Sequence, residues 1–191
     1  MSFQLMKNRR ERNDPSLQLS RTHVFDSGDN NFAVGTFFPN RAKPITVAFS
    51  ISRTGADNGM ILDMGDTVTG LAIWIDTGTM GFCAGDVVAA DGVEFTLANA
   101  LPATGQTFKF ILAVNPGNGK IIIWRNGKVV GRAQATNTNL PNGWGAAADG
   151  AVEAVGTDVT TRVPVGARVA LANASVIGKV SIYDGQVPQQ I

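Results

Sequence analysis

The stretch KIIIWRNGKVVGR, Lys120 to Arg132, decides the fold. Two apolar runs flank Asn126-Gly127. Asn-Gly supplies the two positive-φ positions of a type I′ turn, whose twist matches that of the flanking strands. Ile121, Ile122, Ile123 and Trp124 fill the first arm, and Val129 and Val130 fill the second. The spacing predicts an antiparallel hairpin. A strict two-residue turn also sets Arg125 opposite Lys128, and like charges facing each other destabilise a strand pair.

Moving outward, the same strand grammar repeats. In ITVAFSISR, Ile45, Val47, Phe49 and Ile51 share one face, while Thr46, Ala48, Ser50 and Ser52 share the other. This is the period of a half-buried strand. MILDMG (60–65), LAIWID (71–76), MGFCAG (80–85) and FKFILAVNP (108–116) follow as further strands, separated by Gly, Asp and Asn clusters. Residues 87–97 read as a weaker segment with Asp91-Gly92 as a turn. His23-Val24-Phe25 and Phe32-Ala33-Val34 read as brief strands. Arg168–Ser175 and Val176–Asp184 read as closing strands. Residues 133–165 are least regular, and Asn137 to Gly145 reads as a long surface loop carrying Trp144. About ten to twelve strands with turn signals roughly every 8–12 residues predict an all-β antiparallel sandwich or barrel.

The chain has 191 residues, one domain's worth, and a formal charge of +1. Neutrality gives no global electrostatic reason to expect nucleic acid or membrane. At this size roughly 70% of the unfolded surface can be buried, so no staples are needed. Cys83 is the only cysteine, which excludes an internal disulfide and reads as a buried thiol. No apolar run reaches the ~20 residues of a membrane helix.

Residues 1–22 differ from the rest. They carry Lys7, Arg9, Arg10, Arg12 and Arg21 against Glu11 and Asp14, with Asp14-Pro15 interrupting any helix. No long apolar stretch follows their basic residues, so no signal peptide is expected. The organisation expected is an extended basic arm over 1–22 and a β-sandwich over 23–191. An arm of this kind orders against a partner, with Phe3, Leu5, Arg9, Arg10 and Arg12 as contacts.

Several segments together resemble a known family: GMILDMGD (59–66), GLAIWID (70–76), FKFILAVNP (108–116), KIIIWRNGKVVG (120–131) and VIGKVSIYDGQVP (176–188). Their order is similar to concanavalin A-like lectin/glucanase domains of the laminin-G type, with Trp124 where Tyr is usual. The resemblance covers about residues 45–188 and implies a jelly-roll β-sandwich. It implies less about function, since one fold hosts many unrelated roles.

The glucanase branch of that family carries an E-x-D-x-x-E strand, because retention needs two carboxyls about 5–5.5 Å apart. This chain has only Glu11, Glu94 and Glu153, none with Asp two residues on. His23 is the single histidine, with no nucleophile elbow beside it. One Cys and one His exclude a zinc site. The expectation is a protein that is not an enzyme and needs no cofactor. The resemblance leaves one calcium option at a loop rim, with Asp63, Asp66 and Asp76 in turn-rich stretches, although Asp favours turns regardless. Trp74 and Trp124 read as core, and Trp144 as the exposed aromatic that could touch a ligand.

Two function classes follow. The first is a virion structural protein, a bacteriophage capsid decoration or cement protein. It docks its arm on the major capsid protein as a dimer or trimer, without nucleic acid or membrane. Its composition, rich in Gly, Ala, Thr, Val and Asn, resembles that of phage structural proteins. The second is a carbohydrate-binding or adhesion module with a glycan on the sandwich.

Overall fold

The computed structural model describes residues 40–52, 58–65, 67–88, 90–145, 162–169, 178, 180–185 and 187–188, and the backbone of 23–25, 53, 150–152 and 175–177. Twelve strands lie among them. They are β1 (His23–Phe25), β2 (Ile45–Arg53), β3 (Gly59–Gly65), β4 (Gly70–Asp76), β5 (Thr79–Gly85) and β6 (Gly92–Leu97), then β7 (Thr107–Asn115), β8 (Lys120–Arg125), β9 (Lys128–Gln134), β10 (Gly150–Val152), β11 (Ser175–Ile177) and β12 (Val180–Asp184). One sheet runs β1-β12-β2-β7-β8-β9, with β11 also on β2; the other runs β10-β3-β4-β5-β6. All named pairings are antiparallel. This is a jelly-roll β-sandwich of the concanavalin A-like kind.

The hairpin forms as its sequence dictates. Asn126 and Gly127 take φ of 51° and 77°. Arg125 does pair with Lys128. The repulsion is relieved because Arg125 turns away from the turn. Its Nη1 donates to the Asn99 carbonyl at 3.0 Å, and its guanidinium lies 5.0 Å from the Phe108 ring centre. A bulge between Ile123 and Trp124 then shifts the register, so that Trp124 meets Val129.

Alternation in β2 builds the core. Ile45, Val47, Phe49 and Ile51 point between the sheets and meet Leu62, Ile73, Phe82, Leu112 and Ile123. Phe49 stacks on Phe110 with ring centres 5.4 Å apart. The edges close where β9 crosses β6. A Cβ on Gly131 would overlap the Phe95 ring, so glycine permits this approach.

The strand β4 is buried on both faces, as its unbroken apolar run implies. Leu71, Ile73 and Ile75 face inward. Ala72 and Trp74 face outward and are covered, with Met60 and Cys83, by Val163 and Ala167. Ala167 ends a 3₁₀ turn, Val165–Ala167. The Val169 carbonyl accepts from Met60 N–H at 3.0 Å, tying this cover to β3. Trp74 lies flat over Gly81, where a Cβ would collide with its indole.

Two sequence expectations change here. Arg168 and Val169 are not in a strand; among the described residues, the next strand is β11. Val176–Asp184 is not one strand but two half-strands on β2. They are separated at Gly178, whose N–H donates to Ser50 O at 2.8 Å and whose Cβ position is occupied by Ser50 Oγ. Phe32-Ala33-Val34 lies outside the described residues.

Cys83 is fully buried on the outer side of β5. Burial pushes its thiol from 9.0 up to about 12, against a smaller lowering by the Arg162 guanidinium. The folded thiol therefore keeps its proton where the unfolded one loses it. The unfolded state binds fewer protons in this range, so stability falls as pH rises from about 9 towards 12. The slope from this group is about 1.4 kcal/mol per pH unit. Urea midpoints measured at pH 8, 9 and 10 should drop for the wild type more steeply than for Cys83→Ala. Parallel slopes in the two proteins would contradict the assignment.

Candidate functional site

The charges of this chain are segregated along the sequence, and the topology turns that into segregated sheets. Residues 54–108 contain Asp57, Asp63, Asp66, Asp76, Asp86, Asp91 and Glu94 and no Lys or Arg. Residues 95–148 contain Lys109, Lys120, Arg125, Lys128 and Arg132 and no Asp or Glu. The first range supplies β3 to β6, and the second supplies β7 to β9. One sheet of the sandwich therefore carries most of these acids, and the edge of the other is built from a stretch that carries cations and no acids. This pattern is readable without a structure, but it acquires meaning only once β7–β9 are known to lie side by side.

A concave site lies on that basic edge. Register pairs Lys120 with Gln134 and Ile122 with Arg132, which puts all four on the outward side, opposite to the core-facing Ile121, Ile123 and Ala133. A cavity of about 370 Å³ opens there, lined by Lys120, Ile121, Ile122, Arg132, Ala133 and Gln134. Small-ligand sites run from roughly 300 to 1,000 Å³, so this one suits a single ring with substituents. Ile122 is 2% exposed and forms an apolar floor, continuous with buried Ile111, Ala113 and Trp124. Lys120, Arg132 and Gln134 are exposed at the rim.

The turn between β7 and β8 organises this rim. Asn118 Oδ1 accepts from Lys120 N–H at 3.1 Å, and its carbonyl accepts from Gln134 Nε2 at 3.0 Å. Gln134 is thereby left with its Oε1 as a free acceptor. Among the described residues, no carboxylate pairs with Lys120 or Arg132. The site thus presents two cations and an amide oxygen over an aliphatic patch.

The residues singled out in the sequence fall elsewhere. Trp144 is not an exposed contact: it is 1% exposed and packs in the main core. Its Nε1 donates to Lys43 O at 2.8 Å, its backbone N–H donates to Arg41 O at 3.0 Å, and its own carbonyl accepts from Gly85 N–H at 2.9 Å. The polar loop around it is a strap, and the indole is the plug beneath it. Trp74 and Trp124 are buried as expected. Asp63 is not at a loop rim; it lies inside β3, 1% exposed, opposite Ala72. Asp76 ends β4, four residues or about 13 Å along the strand from Ala72, and accepts from Thr77 Oγ1 at 2.9 Å. Hence the structure does not bring Asp63 and Asp76 together. Asp66, Phe3, Leu5, Arg9, Arg10 and Arg12 lie outside the described residues. Among the described residues, no three His, Cys, Asp or Glu side chains converge as a metal site would require.

No protein-family profile matches the sequence, and no curated protein matches it. Solved structures do match in fold. The CBM40 of the Ruminococcus gnavus IT-sialidase, bound to α2,6 sialyllactose, superposes with a TM-score of 0.59 at 10% identity, covering 90% of this chain and 96% of that one. The NanB sialidase of Streptococcus pneumoniae matches with a TM-score of 0.59 at 12% identity, over 90% of this chain and 27% of that one. Domains LG4-5 of the mouse laminin α1 chain match with a TM-score of 0.57 at 14% identity, over 89% and 44%. At these identities the likeness establishes the fold alone. It places the chain among jelly-roll β-sandwiches, the architecture that the segments at 45–188 imply.

Proposed function

We propose that this chain is a non-catalytic carbohydrate-recognition module. The observation that carries the reading is the cavity on β8 and β9, where cations and an amide surround an aliphatic floor in a sandwich shaped like a sialidase CBM40. Sugars present this mixture to a protein: hydroxyl or acidic groups at the ring edge, and apolar C–H surface on its face.

A solitary His23 and three scattered Glu residues support a binding role over hydrolysis. The capsid-decoration reading rests on residues 1–22, which lie outside the described residues, whereas the sialyllactose-bound CBM40 supports glycan recognition.

Full-length protein screened against an immobilised glycan panel is expected to bind at least one class and to release no cleaved sugar into solution. Cleavage of the bound glycan, or capture by a purified phage shell with no glycan retained, contradicts the reading.

A further inference from the structure

We infer that the β8–β9 cavity recognises the carboxylate of an acidic sugar, with Arg132 as the carboxylate partner and Lys120 as a second cation. The inference rests on the carbohydrate reading above and names its ligand class.

Charge is the first argument. Lys120 and Arg132 rim the cavity and have no acidic partner among the described residues. The nearest stretch of sequence offers none, since residues 95–148 contain no Asp or Glu. Two cations on one side of a cavity raise the local concentration of anions and repel nothing that is neutral. A guanidinium matches a planar carboxylate with two parallel N–H donors, while an ammonium acts as a compact point charge.

Shape and polarity narrow the anion. A cavity of about 370 Å³ accommodates one ring, not an extended polymer face. Ile121, Ile122 and Ala133 give the cavity an apolar lining, and Gln134 Oε1 can accept from a sugar hydroxyl. A single-stranded nucleic acid needs exposed aromatic platforms for its bases. No aromatic side chain lines this cavity. A bare phosphate would leave the aliphatic floor unused.

The test uses full-length protein and four probes: 3′-sialyllactose, galacturonate trisaccharide, neutral lactose and single-stranded DNA. Wild type is expected to bind at least one carboxylated sugar, with lactose at least about ten-fold weaker and with affinity that falls as salt rises. Arg132→Ala should weaken the carboxylated sugar about ten- to hundred-fold, the range of a charge-assisted hydrogen bond. Arg132→Lys should recover part of it, since charge returns without the fork. Both side chains are exposed, so the variants should keep the wild-type melting curve. Glycan binding that is unchanged in Arg132→Ala, or equal for lactose and the acidic sugars, overturns the inference and leaves the carbohydrate reading standing. Tighter binding of DNA than of any sugar overturns the inference as well. No glycan binding at all defeats both.

Discussion

Trp144→Ala is expected to destabilise the fold by about 3–5 kcal/mol, the cost of emptying a buried Trp site. The indole is among the largest fully buried side chains and sits in the main core with Leu140 and Ala84. Three backbone or indole hydrogen bonds converge on this residue, joining the 41–43 loop, the end of β5 and the 140–145 strap. The strap fits only because Gly143 and Gly145 lack side chains. A Cβ on Gly143, which takes φ of 80°, would strike the Arg41 carbonyl, and one on Gly145 would press on that of Met64. Trp144→Phe should cost less, about 1–3 kcal/mol. It keeps most of the apolar contact but leaves the Lys43 carbonyl without its donor. Urea denaturation followed by circular dichroism measures both. A loss under about 1 kcal/mol for the alanine variant would mean that the indole is surface-exposed after all.

Arg162→Met should cost about 2–4 kcal/mol, although Met packs well and removes a charge. Arg162 reaches over the ends of β4, β5 and β6. Its Nη1 donates to Val93 O at 2.9 Å and Ala84 O at 3.2 Å, and its Nη2 to Gly85 O at 2.5 Å and Gly70 O at 3.5 Å. These carbonyls cluster where the β5–β6 ladder ends in the pair Gly85–Gly92. The chain passes so tightly there that a Cβ on Gly92 would overlap the Asp86 carbonyl and crowd Arg162 Nη1. Removing the guanidinium strands several part-buried acceptors at once, and unsatisfied groups carry the larger penalty. Arg162→Lys should restore only a fraction, because one ammonium cannot span carbonyls on three strands. Thermal melts of the three proteins decide this. A Met variant as stable as wild type would show that water replaces the guanidinium without loss.

Much of the fold was legible because local rules and tertiary packing agree. The Asn126-Gly127 turn, the alternation of Ile45 to Ile51 and the doubly buried Leu71–Ile75 run all form where their residues imply. Failures occur where long-range partners decide. Asn137 to Gly145 is polar and glycine-rich, and nothing local shows that Trp144 turns inward to meet a carbonyl 101 residues away in sequence. The loop-rim reading of Asp63 conflicts with the strand signal of 60–65 itself, and β3 follows the strand signal, with β10 alongside. The break at Gly178 is set by Ser50 on the neighbouring strand. The candidate site was hidden for a different reason. Its ligand-facing residues are ordinary Lys, Arg and Gln on a hairpin, with no motif. Only the absence of acids over 95–148 signals them, and an absence has no pattern to match.

One experiment probes the central claim without any substitution. Titrating 3′-sialyllactose or galacturonate trisaccharide into ¹⁵N-labelled full-length protein reads every backbone amide at once. Saturable shifts are expected, confined to Lys120–Ile122, Arg132–Gln134 and the adjoining Asn118, with silence from lactose at the same concentration. Shifts centred on the acidic sheet, β3 to β6, or no shifts with either acidic sugar, would contradict it.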